Sequence, residues 1–180
     1  MEVEAAPGEL ELVRAFVNTL DVEEGIDALA SPATLAAWLR EHRLLRTSSA
    51  TQADLAAARR LRESLRGLLL ANNGVNTRKE AALTLNRAAA KARLSFRFDP
   101  AGTVRLEPQA SGVDGALGHI VAIVSASMAD GTWRRLKACR ADDCRWAFYD
   151  RARNQSRHWC SMAVCGNRTK ARTYRRRHPA

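Results

Sequence analysis

Four cysteines carry the clearest chemistry in this 180-residue sequence: Cys139, Cys144, Cys160 and Cys165, spaced C-x4-C-x15-C-x4-C. Zn²⁺ favours four soft ligands in a tetrahedron, and two short loops that each present two thiolates, joined by a spacer that folds back, bring four sulfurs to one point. Disulfides or free thiols are the competing readings. Four cysteines allow three pairwise connectivities, but a reducing cytosol disfavours them and no export signal supports them. With all four positions filled by protein, no water is left to activate, so the expected Zn²⁺ is structural and the expected protein is not an enzyme. His158 is the competing nearby ligand, and with four thiolates available it reads as a surface residue or one supporting the ligands from behind.

These cysteines must be positioned by local structure. Ser161 to Arg177 holds good helix formers and no proline, which predicts a helix with Cys160 on the turn entering it and Cys165 in its first turn or two. A helix N-terminus lowers thiolate pKa and helps hold an anionic cluster. Gly166 is costly inside a helix, which predicts close packing against the zinc loop. Trp146, Phe148 and Trp159 are expected to form the small core of this module rather than to stack on bases.

The cysteines sit in the most basic part of the chain. From Trp133 to Ala180 there are 14 Lys plus Arg against 3 Asp, while the remainder holds 15 basic and 16 acidic residues. Six of the ten aromatics share that last quarter. On the expected terminal helix Arg168, Arg172 and Arg176 recur every four residues, beside a stripe of Lys170, Tyr174 and Arg177. Like charges at that spacing repel, so a polyanion that removes the repulsion is the simple explanation, with a solvated charged face as the alternative. Candidate nucleic-acid contacts are Arg151, Arg153, Arg157, Asn167, Arg168, Lys170, Arg172, Arg175 and Arg176, where arginine suits phosphate forks and guanine O6 and N7, and Asn167 suits adenine. Gly166 and Asn167 equally suit a role in orienting the zinc loop, and Arg168 is expected to pair with Asp143 or Asp150.

Residues Cys139 to Asp150, followed by Arg157-His158-Trp159-Cys160-Ser161-Met162-Ala163-Val164-Cys165-Gly166-Asn167-Arg168, resemble the CGNR zinc finger family. The preceding part, including Phe16-Val17-Asn18-Thr19-Leu20-Asp21, is similar to the ABATE domain usually found with that finger. His158 stands where the family often has a second basic residue. The resemblance implies a bacterial, zinc-binding, DNA-binding, stress-related transcription regulator, and the placement of Cys160 and Cys165 at a helix entry resembles a treble-clef finger.

The rest of the chain reads as helices with one hairpin. Leu10, Val13, Phe16, Val17 and Leu20 fall at helical spacing from about Gly8 to Thr19. Ser31 before Pro32 starts a second helix with Leu35, Trp38 and Leu39 buried. Thr51 with Asp54 caps a third, which buries Leu55, Ala58, Leu61, Leu65, Leu68 and Leu69, and Thr77 with Glu80 caps a fourth to about Lys91. Asn72-Asn73-Gly74 reads as a turn between them. Leu94, Phe96 and Phe98, then Val104 and Leu106, alternate about Asp99-Pro100-Ala101-Gly102 as a β-hairpin. A helix from Gly112 to Met128 ends at Asp130-Gly131. His119 reads as a core or helix-edge residue, and Asn18, Thr19 and Asp21 as turn residues.

The expected fold is thus α+β and mostly α-helical: residues 1–131 form a helical domain with one β-hairpin, and residues 132–180 a small four-cysteine module ending in a basic helix. The length excludes a large multidomain enzyme. Met1-Glu2-Val3-Glu4 is acidic where a secretory signal is basic, and the apolar stretch Ala116 to Ala129 is short for a membrane span, so a cytoplasmic protein with no membrane partner is expected. Duplex DNA is the leading partner, with the first domain sensing a small-molecule effector or forming a homodimer. RNA or ribosome binding and a zinc-stabilised protein-interaction module are the alternatives.

Overall fold

Ser31 and Thr51 each open a helix by a reciprocal capping box. The Ser31 and Thr51 hydroxyls accept the N–H of Thr34 and Asp54, whose side chains return a bond to the capping residue's own N–H. In the computed structural model, which describes residues 5–75 and 80–178, these boxes start α2 (Pro32–Glu41) and α3 (Gln52–Asn72). The Thr77–Glu80 box lies outside the described residues, but the helix expected after it is present as α4 (Glu80–Ala92). The chain begins with α1 (Leu10–Val17) and a short antiparallel pair, β1 (Leu20–Asp21) and β2 (Ile26–Asp27). The expected hairpin is β3 (Leu94–Phe98) and β4 (Val104–Pro108), antiparallel with Phe96 opposite Leu106.

Apolar on nearly every side, α5 (Gly112–Ala129) takes the position such a helix requires, the centre of the core, with α1, α3 and α4 against it. It starts earlier than the apolar stretch alone indicates. Among the described residues it is the one helix long and apolar enough to cross a membrane, and most of it is buried inside the fold. Its Gly118 lets two chains approach: a Cβ there would lie 2.1 Å from Ala92 Cβ and 3.5 Å from Pro108 Cβ. The end of α4 and the base of the hairpin therefore sit directly on the helix backbone.

That anchorage reaches only the hairpin's base. Leu94 packs on the core, but Phe96 is 70% exposed, Phe98 72% and Val104 52%. Alternation predicted the strands correctly, and it would ordinarily also place this apolar row against a core. Here the row runs past the surface that could cover it.

After Gly131, whose φ of 82° ends α5, a 3-10 turn (Thr132–Arg135) places Trp133 in the main core. It leads to the antiparallel pair β5 (Leu136–Ala138) and β6 (Ala147–Tyr149). Successive side chains on a strand point to opposite faces, and this hairpin uses both. Leu136, Ala138, Ala147 and Tyr149 join the main core, while Phe148 joins a second cluster with the four cysteines, against which Trp146 and Trp159 pack. The aromatics thus serve as the small core expected of them. A π-helical turn (Met162–Gly166) and α6 (Asn167–Arg177) follow.

Candidate metal centre

The first cysteine pair is held by the end of the β5–β6 hairpin. Cys139 N–H donates to Trp146 O at 2.9 Å, and Cys144 and Arg145 N–H both donate to Ala141 O, with Arg145 at φ 55° closing the loop. The second pair is held by the π-turn. Gly166 N–H reaches back to Ser161 O at 3.1 Å, and the Ser161 hydroxyl accepts Val164 N–H at 3.3 Å. The wide turn brings Cys165 beside Cys160, with their sulfurs 3.6 Å apart. The expected helix entry is therefore present, with a π-turn in place of its first α-turn. The three atoms nearest a Cβ on Gly166 all belong to Met162, within the Cys160–Cys165 loop, the nearest at 2.4 Å, so the glycine packs closely on the zinc loop as expected, although against a flexible side chain.

All four sulfurs lie within 4.8 Å of one another, and all four residues are buried. Cys144 and Cys160 are also 3.6 Å apart, far beyond a disulfide bond, and the four are free thiols. Four sulfurs at about 2.3 Å from a tetrahedral Zn²⁺ stand about 3.8 Å from one another, so the donor set fits that ion. Backbone N–H groups of Ala141 and Cys160 point at Cys139 sulfur, and that of Trp146 at Cys144 sulfur. Without a cation, so many thiols in one pocket cannot all ionise. Hydrogen bonds from Cys144 and Cys160 hold the Cys139 thiol far below its usual range and push the Cys144 and Cys160 thiols up. A divalent cation removes that conflict and takes all four as thiolates. The four buried cysteines can hold a structural metal ion such as zinc.

His158 stands behind the ligands. Its Nδ1 lies 2.8 Å from Asn73 Oδ1, and its carbonyl accepts Arg140 N–H. Burial, then the nearby cations of Arg140 and Lys137, lower its pKa. Lys137 and Asp150 form a buried pair at 2.8 Å; Lys137 also donates to Gln155 O, and Asp150 accepts the Ala152 and Arg157 N–H groups. Burial alone would raise the Asp150 pKa, but Lys137 and the Ala152 and Arg157 N–H groups together outweigh it and hold the carboxyl below the usual range. The pair shapes the loop 151–157.

Several links to the first domain escape a sequence reading, because their partners are backbone groups far away in the chain. Asn18 donates to Ala147 O at 2.9 Å and accepts Ala147 N–H at 2.7 Å. Asn72 donates to Trp133 O and Leu136 O, and Asn73 donates to Ala138 O and His158 O. The buried Arg66 reaches Val17 O and Arg145 O. Asn18, Asn72 and Asn73, read as turn formers, are thus also clamps between the two parts.

The candidate nucleic-acid residues divide into three groups. Arg157 faces inward, donating to Cys160 O at 2.8 Å with its guanidinium 5.2 Å from the Phe148 ring centre. Arg151 donates to Ala5 O and lies 5.7 Å from the Tyr149 ring centre. Arg168 grips Glu23 through both nitrogens, at 2.5 and 3.0 Å, and Arg172 meets Asp143 at 2.5 Å. Of the two partners expected for Arg168, Asp143 is present as a longer ion pair at 3.8 Å, whereas Asp150 is taken by Lys137. Arg168 also donates to Cys165 sulfur at 3.5 Å, so it shares the negative charge of the metal cluster. The third group is exposed: Arg153, Asn167, whose amide donates to Ala163 O, and Lys170, Arg175 and Arg176. The arginine stripe therefore meets carboxylates at its first two positions and emerges as bare charge further along the helix.

The fold and site define a class, a helical domain clamped to a four-cysteine zinc finger. Residues 10–132 match the ABATE family, described as "Putative stress-induced transcription regulator", and residues 135–178 match the CGNR zinc finger. The chain belongs to the ABATE family and carries a CGNR zinc finger after that domain. No curated protein matches it.

Proposed function

We propose that this chain is a zinc-dependent, DNA-binding transcription regulator that works by binding and not by turnover. The observation that carries the reading is α6. Six of its eleven residues are Lys or Arg, none is acidic and none is buried, and the helix grows directly out of the metal centre. A helix that packs on so little and repels itself gains stability from a polyanion. Four thiolates also leave a tetrahedral metal no position for a substrate or water, which supports the non-catalytic role. In this reading Lys170, Arg175 and Arg176, with Arg153, meet phosphate first, and Asn167 and Arg168 follow two and three residues after the ligand Cys165. The first domain is the part through which an effector would act.

The test is fluorescence anisotropy with the zinc-loaded chain on duplex DNA, single strands and RNA over a range of salt. Neutralising about five phosphates on B-DNA gives a log-log slope near about −4.5. Changing Arg175 and Arg176 together to Gln should lower that slope by about two, because each phosphate contact contributes about −0.9. Preference for RNA would support the RNA-binding reading. Absence of salt-dependent binding would leave a protein-interaction module.

A further inference from the structure

The hairpin β3–β4 is a two-stranded sheet, and among the described residues the outer edge of β4 has no strand partner. No other backbone or side chain there bonds to the main chain of residues 104–107. Along this edge, between β4 and α5, lies a groove of about 520 Å³. Its floor is made of α5 residues, four of them small (Ala122, Ser125, Ala126 and Ala129) beside His119 and Ile123, and the small ones leave room for a chain to lie over the helix. Its wall carries Val104 and Leu106 from one face of β4 and Arg105 and Glu107 from the other, so both side-chain rows of the strand border the space. A lone two-stranded ribbon is marginal, and an open edge beside exposed Phe96 and Phe98 is the usual invitation to another strand.

The sequence of the edge names the occupant. Read antiparallel to itself about Leu106, the strand Val104-Arg105-Leu106-Glu107-Pro108 sets Arg105 opposite Glu107 of a second copy, twice, and Leu106 opposite Leu106. Opposite charges directly across a strand pair attract. Within one chain Arg105 instead faces Arg97, and neither arginine nor Glu107 has an ion-pair partner among the described residues. The outer edge of β3 offers no such match, since about Phe96 it sets Ser95 against Arg97. The position of Pro108 at the end of the strand costs the new ladder only its N–H bonds there.

We infer that the chain forms a two-fold homodimer by antiparallel pairing of β4 with β4 of a second copy, which joins the two hairpins into a four-stranded sheet. This inference is independent of DNA binding.

Charge reversal tests it on the full, zinc-loaded, nuclease-treated chain by sedimentation velocity between about 1 and 100 µM. The wild type should be dimeric. Arg105→Glu should oppose two pairs of carboxylates across the axis, and Glu107→Arg two pairs of arginines, each raising the dimer dissociation constant by about tenfold or more. Arg105→Glu removes the Arg97–Arg105 repulsion within the hairpin, so its fold should persist, with zinc content and far-UV circular dichroism unchanged. Mixing the two variants restores both attractive pairs and should yield a 1:1 heterodimer. A monomeric wild type at 100 µM, single variants that dimerise as tightly as wild type, or variants that stay apart when mixed would each overturn the inference.

Discussion

Arg62 shows how a buried charge is tolerated in this fold. It is 3% exposed, donates to both oxygens of Asp27 at 2.6 and 3.1 Å, and also reaches Glu63 and Thr19. Burial alone would raise the Asp27 pKa, but the hydrogen bonds from Arg62, with smaller help from Leu29 N–H and Arg59, hold it below its ordinary value of 3.8. In acid the unfolded chain then binds a proton that the folded chain resists. The stabilisation is therefore complete above about pH 5 and is lost as pH falls through the lowered value. Asp27→Asn should flatten this part of the acid limb and cost about 3 kcal/mol at pH 7, because it leaves Arg62 buried without its main partner. Urea melts of both forms at pH 7 and pH 3 check this, with the difference between them shrinking at the lower pH. Single residues were the least legible scale. The cysteines are recognisable because zinc needs four ligands of one kind at a fixed spacing. Asn18, Asn73 and the Arg168–Glu23 pair depend on which distant backbone or carboxylate the fold brings alongside, and no local pattern records that.

Elements were far more legible, because their signals are local. The Ser31 and Thr51 caps, the three-to-four spacing of Ala58, Leu61 and Leu65, and the alternation of Leu94, Phe96 and Phe98 each act within a few residues. The π-turn was missed because Cys160 and Cys165 ask only for proximity, which an α-turn and a π-turn both suggest in sequence. Two glycines inside helices separate packing from propensity. Gly67 in α3 has open space around its Cβ position, whereas Gly118 in α5 has Ala92 at 2.1 Å. Gly67→Ala should raise stability by about 0.5–1 kcal/mol through helix propensity alone. Gly118→Ala should lower it by about 1–3 kcal/mol, because the end of α4 and the hairpin must move off the helix. Denaturant midpoints for the two variants should therefore shift in opposite directions.

At the scale of the whole molecule, the two compositions visible in the sequence meet in one packed structure. The hairpin β5–β6 gives Leu136, Ala138, Ala147 and Tyr149 to the main core while Phe148 and the cysteine loops close the metal centre on its other side. Asn18, Asn72, Asn73 and Arg66 tie the same hairpin to α1 and α3 through its backbone. A charge count cannot show this, since three of these clamps are neutral, the fourth, Arg66, donates to a backbone carbonyl, and the shared core is a matter of strand alternation. The consequence concerns metal loss. Bonds from one ion to all four thiolates join the two cysteine loops, so without the ion the loops separate and the end of β5–β6 loses its hold. The strands that loosen are also a wall of the main core, so the damage passes inward. Chelation under reducing conditions should therefore lower the melting temperature of α3 and α5 along with that of the finger, as one transition in calorimetry. Hydrogen exchange should show faster opening at the C-terminal end of α3, where Asn72 and Asn73 lose their acceptors. Two separate transitions, with the helical part melting at the same temperature with and without metal, would mean that the clamps carry no coupling. The predicted single transition makes zinc a support for the whole chain and not for the finger alone.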